Sequence, residues 1–130
     1  MNTGLILFKD GTADFISDLN RFRITRRALR SENMRTASIV LRDGSIMPIS
    51  EFEVIGNVNP IWKFEFFDPV IDVALRLGAS TGSMTVNEVK ALVRKNKWWL
   101  GLTKDAPVTM REISMMDDIW DIFQALNRVQ

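Results

Sequence analysis

The residues best suited to chemistry in this sequence are arginines, and they are concentrated in one segment. Between residues 21 and 42 the chain has seven arginines, no lysine and one acidic residue, Glu32. The planar guanidinium group holds its N–H donors in a fixed fork that matches the oxygens of a phosphate or carboxylate. The segment is therefore predicted to bind an anionic ligand or partner. The residues expected to form this site are Arg21, Arg23, Arg26, Arg27, Arg30 and Arg35.

Two arginine pairs in this segment, Arg23 with Arg27 and Arg26 with Arg30, are each four residues apart. On a helix, each pair would share one face and could clamp a single anion. The alternative is a solvated face whose positive charges are offset by nearby carboxylates. The candidates for those carboxylates are Asp10, Asp14, Asp18 and Glu32.

The pair Arg23 and Arg27 also resembles the Arg-x-x-x-Arg motif of the PilZ family, whose members are β-barrel receptors for cyclic diguanylate. Ser50 matches the serine of the second motif of that family, Asp/Asn-x-Ser-x-x-Gly. Pro48 and Glu53 stand where that motif has its Asp or Asn and its Gly. The resemblance covers less than a third of the chain, and it implies a barrel in which Arg23 and Arg27 face a nucleotide.

A second group of basic residues lies nearer the C-terminus, where the segment 90–104 has five basic residues and no acid. Basic side chains interleaved with two tryptophans could hold backbone phosphates and stack on bases, so this segment is a candidate nucleic-acid site. The alternative is that the tryptophans seal the core and the basic residues stabilise the C-terminus of a helix. The residues of this patch are Lys95, Lys97, Trp98 and Trp99.

The C-terminal segment carries two adjacent apolar stripes at helical spacing, which together are wider than one packing face requires. Excess apolar surface of this kind favours a homo-oligomer, and the alternative is a helix held in a groove between the sheet and the other helices. The residues expected at a subunit interface are Met115, Ile119, Trp120, Ile122, Phe123 and Leu126.

The composition argues against most catalytic chemistry, since the chain has no His, no Cys and no Tyr. Zinc fingers, thiol nucleophiles and His-dependent triads are therefore excluded. Asp117, Asp118 and Asp121 are predicted to lie on one helix, where adjacent side chains point about 100° apart and so would not converge on a cation. Glu88 and Lys90 have the spacing of a nuclease motif with Asp72 upstream, but Glu88 is better explained as a helix-capping residue. We expect no catalytic residues, no metal and no cofactor.

Two similar phrases predict β-hairpins in the N-terminal half. Lys9-Asp10-Gly11-Thr12 and Arg42-Asp43-Gly44-Ser45 are 33 residues apart, and an apolar strand precedes each of them. Asp-Gly favours a two-residue turn with positive φ. The repetition suggests one antiparallel sheet built from two similar units, and the alternative is a chance likeness. The segment 20–24 alternates like a strand, and residues 26–30 are expected to form a short helix or loop.

Further elements are expected after the second hairpin. The segments 52–55 and 61–67 are predicted strands, the second because it is rich in aromatic residues. Asp68, Pro69 and Gly78 have the positions of helix boundaries, which predicts a short buried helix between them. Thr85 with Glu88, and Thr109 with Glu112, form capping-box patterns that predict helices to about residues 97 and 127.

Together these features predict a single α+β domain. We expect an antiparallel β-sheet with Asp-Gly hairpins in residues 3–67, packed against three helices in residues 68–127. The net charge of +1 argues against a dedicated DNA-coating protein. The function expected is a non-catalytic binding protein, such as an inhibitor, adaptor or immunity factor, including phage-encoded ones. The alternatives are a receptor or sponge for a phosphate-bearing small molecule and a nucleic-acid-binding protein. The short apolar start has no basic residues before it, so we expect a cytoplasmic protein without a membrane partner.

Overall fold

The computed structural model of the protein describes residues 2–57, 70–97 and 106–129. These residues form an antiparallel sheet in the N-terminal part and helices toward the C-terminus, so the α+β prediction is confirmed. The strands are β1 (Gly4–Leu7), β2 (Ala13–Ile16), β3 (Phe22–Thr25), β4 (Ser38–Val40), β5 (Ser45–Asn57), β6 (Val70–Leu77) and β7 (Gly82–Ser83). The helices are α1 (Arg26–Leu29), α2 (Glu32–Arg35), α3 (Val86–Lys95), α4 (Ala106–Ser114) and α5 (Ile119–Val129).

The two Asp-Gly hairpins have the same geometry. The Phe8 N–H donates to Thr12 O at 2.9 Å in the first, and the Leu41 N–H donates to Ser45 O at 2.9 Å in the second. The glycines have φ values of 88° and 90°, and no non-glycine residue in the described part of the chain has positive φ. The prediction of a two-residue turn is therefore wrong. Each hairpin has a three-residue loop in which only the glycine takes the left-handed conformation.

The 33-residue repeat also extends into the strand register. Strands β1 and β4 lie side by side and antiparallel, with Ile6 opposite Ile39 at the centre of the pairing. Ile39 is the residue 33 positions after Ile6, so the two hairpins are related by a local twofold axis through this pair. Asp14 pairs with Ile6 and Met47 pairs with Ile39, which is again the same register shifted by 33 residues. The prediction of two similar units in one sheet agrees with this geometry.

The sheet curls until its two edges approach each other. Its strand order is β2-β1-β4-β5-β6-β3, so the edge strands β2 and β3 are consecutive in the chain and only five residues, 17–21, join them. Leu19 lies within this link, donates its N–H to Asn2 O at 2.8 Å and accepts from the Leu75 N–H at 2.9 Å. Strand β5 is long enough to pair with β4 through its first residues and with β6 through the rest, across two irregularities of register.

Two hydrophobic clusters lie on the two faces of this sheet. The inner cluster contains residues from both edge strands, Ile16 and Ile24, as expected inside a curled sheet. The outer cluster joins Leu5, Phe15 and Val40 to the three C-terminal helices. Leu5 and Ile6 are successive residues of β1 and belong to different clusters, because successive side chains of a strand point to opposite faces. Helices α3, α4 and α5 therefore cover one side of the sheet, while α1 and α2 contribute to the cluster on the other side.

The buried helix expected between Asp68 and Gly78 is wrong, because residues 70–77 form strand β6. This strand lies between β5 and β3, and five successive residues, 71–75, are buried. A strand buried on both faces is apolar at nearly every position, as a buried helix is. The three β-branched residues Val70, Ile71 and Val73 favour the strand. The boundary residues Asp68 and Pro69, like the predicted strand 61–67, lie outside the described residues.

The capping box at Thr85 is confirmed, since Thr85 Oγ1 accepts from the Glu88 N–H and Glu88 Oε1 accepts from the Thr85 N–H. The helix it opens ends at Lys95. The single long helix from Thr109 is wrong, because α4 begins at Ala106 and ends at Ser114, and α5 begins at Ile119. Asp118 accepts the Trp120 N–H at 3.1 Å and so supports the start of α5. Asp favours such a capping role over a helix interior. Among the described residues, no helix is long and apolar enough to cross a membrane.

The two hairpin carboxylates accept hydrogen bonds that favour their ionised forms. Asp10 accepts hydrogen bonds from the Thr12 hydroxyl and N–H, and Asp43 accepts one from the Ser45 N–H. These bonds lower the pKa of each carboxyl below its ordinary value of 3.8. A lowered pKa in the folded state stabilises the protein above the ordinary value, and this contribution is lost as the pH falls through the lowered pKa.

We therefore expect Asp10→Asn with Asp43→Asn to lower the free energy of unfolding at pH 7 and to lower it much less at about pH 2, well below the ordinary carboxyl value. Urea unfolding of the wild type and the double variant at both pH values measures this. An equal loss at the two pH values would mean that the ionised carboxylates do not stabilise the turns.

Candidate functional site

The arginine-rich segment folds as a short strand followed by two single-turn helices. Arg23 lies on β3, and Arg21 is the residue immediately before the first residue of β3. Arg26 and Arg27 lie on α1, Arg30 is at its C-terminal end, and Arg35 is the last residue of α2. All six side chains are exposed. The expected strand at 20–24 and short helix after it agree with this arrangement.

Two of the arginines share one buried carboxylate. Arg23 stands directly opposite Asp72 in the pairing of β3 with β6, and its Nε lies 3.3 Å from Asp72 Oδ1. The Nε of Arg21 lies 3.9 Å from Asp72 Oδ2. The Asp72 side chain is 12% exposed, whereas the side chains of Arg21 and Arg23 are 67% and 66% exposed. The carboxylate is therefore held inside the surface, with both guanidinium groups extending above it.

The two helices that carry the other arginines are fixed by caps and by a buried face. Thr25 Oγ1 accepts from the Ala28 N–H at 3.2 Å, and Ser31 Oγ accepts from the Met34 N–H at 3.2 Å. Met34 is buried in the inner cluster, against which Ala28 and Leu29 also pack. Single-turn helices are unstable in isolation, so these contacts hold the backbone that presents the arginines.

Three of these arginines form no ion pair with a described carboxylate. Within the described residues, no carboxylate oxygen lies within 4.0 Å of the guanidinium group of Arg26, Arg30 or Arg35. Arg26 and Arg30 are one helical turn apart, since the Arg30 N–H donates to Arg26 O at 3.2 Å. We call Arg26, Arg30 and Arg35 the arginine surface. Its charges are not offset by ion pairs in this part of the chain.

The structure corrects two predictions for this segment. One is that Arg23 and Arg27 share a helix face, and the other is the choice of the carboxylates that offset the arginines. Arg23 and Arg27 do not share a helix face, because Arg23 is on a strand. The carboxylate that pairs with the segment is Asp72 rather than Asp10, Asp14, Asp18 or Glu32. Asp14 Oδ1 instead accepts the N–H of its neighbour Phe15 at 2.8 Å, and burial raises the pKa of its carboxyl. Asp18 accepts the Asn20 N–H at 2.9 Å within its own turn.

Asp72 was not predicted to pair with the arginines, because the segment around it was predicted to be a helix. As a strand, the segment 70–77 places Asp72 on the face opposite Ile71 and Val73, where it meets the alternating arginines of β3. The usable signal was the alternation of Arg21, Phe22, Arg23 and Ile24, which is typical of a strand that a carboxylate on the neighbouring strand would stabilise.

The other residues that the sequence analysis singled out for binding lie on other segments of the chain. Ser50, the serine of the second PilZ-like motif, lies on β5, and its hydroxyl donates to Arg76 O at 3.0 Å. Lys95 and Lys97 are exposed at the C-terminal end of α3, whereas Trp98 and Trp99 lie outside the described residues. Arg42 is in the second hairpin, and its guanidinium lies 5.0 Å from the ring centroid of Trp120.

Most of the residues expected at a subunit interface are buried within the chain itself. Ile122, Phe123 and Leu126 are 0% exposed, and Ile119 is 7% exposed. They fill the groove between the sheet and the other helices, so they are not available to a second copy. Met115 is exposed and Trp120 is partly exposed. Homo-oligomerisation stays a prediction, but these four residues of α5 do not support it.

The acidic residues considered for catalysis do not form a metal site in the described residues. No group of three or more carboxylates there could hold a metal ion. Glu88 is bonded to Thr85 in the capping box, as expected, and Asp118 is bonded to the Trp120 N–H. Asp72, the upstream residue of the nuclease-like pattern, is paired with the arginines of β3.

The residues with the clearest chemical potential are thus the arginine surface on α1 and α2 and the Arg21–Asp72–Arg23 cluster beside it. The first offers positive charge that no carboxylate among residues 2–57, 70–97 and 106–129 pairs with, and the second offers guanidinium groups beside a buried carboxylate. Comparison with known proteins found no family model, no curated protein and no solved structure that matches this chain.

Proposed function

We propose that this protein is a non-catalytic binding protein whose arginine surface, Arg26, Arg30 and Arg35, contacts an acidic patch on another protein. The observation that carries the proposal is that these three guanidinium groups are exposed and have no carboxylate partner among the described residues. Like charges placed close together repel each other, and a bound anionic partner removes that repulsion.

The use of Arg supports a specific contact rather than solubility alone. Lys would keep a surface hydrated equally well, but it lacks the fork that grips a carboxylate through two parallel hydrogen bonds. Arg26 and Arg30 lie one turn apart on a capped helix packed against the inner cluster. Their backbone is therefore ordered before the partner binds, which reduces the entropy lost on binding.

The size and charge of the surface favour an acidic protein over duplex nucleic acid. A duplex presents one negative charge about every 1.7 Å along its axis and is held by many phosphate contacts. Here three arginines lie on two single-turn helices, and Glu32 lies between them in the sequence. The whole chain has only one net positive charge.

The test compares two double variants with the same change in net charge. Arg26→Gln with Arg30→Gln removes two charges from the arginine surface. Arg94→Gln with Arg111→Gln removes two charges from exposed positions on α3 and α4. The probe is poly-L-glutamate, and a DNA duplex is measured beside it. Affinities at increasing salt concentration are obtained for the wild type and both variants.

We expect the first variant to bind poly-L-glutamate about tenfold more weakly than the wild type, because charge-assisted hydrogen bonds are lost. The control variant should stay within about twofold, and both should melt close to the wild type. Equal losses in the two variants would mean that net charge alone controls binding and would contradict the proposal. Preferential binding of the duplex, lost in the same variant, would contradict the choice of an acidic protein.

A further inference from the structure

We propose that a cleft beside β3 binds a small phosphomonoester, held by the terminal Nη groups of Arg21 and Arg23 while Asp72 positions both guanidinium groups. The cleft has a volume of about 460 Å³. Ligand sites for small molecules fall in the range of about 300–1,000 Å³. It lies at the link that joins the edge strands β2 and β3. Its lining residues are Phe15, Ile16, Ser17, Asp18, Arg21, Phe22 and Arg23.

Asp72 contacts both arginines through the same atom type, Nε, at 3.9 Å from Arg21 and 3.3 Å from Arg23. No described residue accepts a hydrogen bond from the Nη groups of either arginine. The buried carboxylate thus holds the Arg23 guanidinium by a hydrogen bond and attracts that of Arg21 by charge, and among the described residues the Nη donors of both are left for a ligand. Preorganised donors bind an anion more tightly than mobile ones, because less side-chain entropy is lost.

The number of free donors favours a phosphate over a carboxylate. A carboxylate has two oxygens, which a single guanidinium fork can satisfy, whereas a phosphomonoester has three terminal oxygens that two forks can share. The two arginines, with Asp72 behind them and Asp18 in the lining, sum to no net charge, so binding would depend on the directed guanidinium donors rather than on excess charge. Asp18, the carboxylate in the lining, is held at the rim of the cleft by the Asn20 N–H.

The cleft also offers apolar surface for the organic part of the ester. The lining includes Phe22, whose partly buried side chain packs against the inner cluster, and it continues through Phe15 and Ile16. A phosphate next to an aromatic or aliphatic group would contact both kinds of surface. Nucleoside monophosphates and aryl phosphates share this chemistry. This site uses residues other than the arginine surface, so the inference does not rest on the proposed function.

Calorimetric titrations with four probes test the ligand chemistry: adenosine monophosphate, phenyl phosphate, inorganic phosphate and adenosine. We expect at least one of the two esters to bind more tightly than inorganic phosphate, and adenosine not to bind. The tighter ester identifies whether the organic part is a nucleoside or a simple aromatic ring. Absence of ester binding at millimolar concentration, or equal binding of inorganic phosphate, would overturn the proposal.

Variants test the named residues. Arg21→Gln and Arg23→Gln should each weaken ester binding about tenfold, because each removes charge-assisted hydrogen bonds. Arg76→Gln is the matched control, since Arg76 is exposed on β6 but pairs with Glu53 and does not line the cleft. It should change the affinity by less than about twofold. Arg26→Gln with Arg30→Gln should also leave ester binding intact, which separates this site from the arginine surface.

The Asp72→Asn variant distinguishes two roles for Asp72, positioning of the guanidinium groups and a purely electrostatic effect on the ligand. Removing a negative charge should tighten the binding of an anion if only charge matters. If Asp72 positions the guanidinium groups, the variant should instead bind the ester about fivefold or more weakly. Tighter binding by Asp72→Asn would overturn the positioning role. Should this variant fail to fold, the Arg21→Gln, Arg23→Gln double variant decides, and retained ester affinity in a folded double variant would overturn the site.

Discussion

Gly44→Ala is expected to destabilise the folded protein by about 3–5 kcal/mol, whereas Gly11→Ala should cost only about 1–2 kcal/mol. Both glycines have φ near 90° at the same position of the two hairpins, so the conformational penalty for Ala is the same. Their surroundings differ. A Cβ on Gly44 would lie 2.3 Å from the backbone O of Met84, while a Cβ on Gly11 would meet only the mobile end of Lys95 at 2.8 Å.

Urea unfolding of the two variants measures this difference, and each hairpin serves as the control for the other. The Met84 N–H also donates to Gly44 O at 2.7 Å, so the backbone at residue 84 cannot move away from the turn without losing a hydrogen bond. Equal losses of stability in the two variants would show that the approach of Met84 does not restrict the second hairpin.

Asn96→Ala should lower the free energy of unfolding by about 2–4 kcal/mol, because it leaves buried backbone groups without partners. Asn96 is 2% exposed at the C-terminal end of α3. Its Oδ1 accepts from the Ala13 N–H at 3.2 Å, and its Nδ2 donates to Gly11 O at 3.3 Å and to Leu92 O at 2.9 Å. One side chain thus ties α3 to the first hairpin and covers an N–H of the edge strand β2.

Asn87→Ala provides the control for this effect, since Asn87 is exposed on the same helix. It should change the free energy of unfolding by less than about 0.5 kcal/mol. Denaturant unfolding of both variants is the measurement. If Asn96→Ala is as mild as Asn87→Ala, water replaces the side chain and Asn96 does not join the two elements.

The elements that could be predicted from the sequence are those set by local chemistry. Asp-Gly located both hairpins, and the pairing of Thr85 with Glu88 located α3, because turn and cap signals depend on residues only a few positions apart. Strand β6 could not be distinguished from a buried helix, since its apolar run is buried on both faces. The break between α4 and α5 was missed because both helices continue a similar apolar pattern across it.

The sequence located the candidate site but did not show which of its arginines pair with a carboxylate. The density of arginines identified the segment 21–35. The sequence did not show that Arg21 and Arg23 pair with a carboxylate, whereas Arg26, Arg30 and Arg35 pair with none among the described residues. That distinction depends on Asp72, which is 49 residues from Arg23 in the chain and opposite it in the sheet. Local patterns contain no information about such a pair until the strand order is known.

The most direct test of the arginine surface is a native mass spectrum of the protein isolated from its own cells. We predict that the wild type carries an acidic protein partner in addition to the 14.9 kDa chain. The Arg26→Gln, Arg30→Gln variant should be recovered folded and without that partner, whereas the Arg94→Gln, Arg111→Gln variant should retain it. A wild-type chain recovered alone under these gentle conditions, or a partner retained by the first variant, would contradict the proposal that the arginine surface binds an acidic protein.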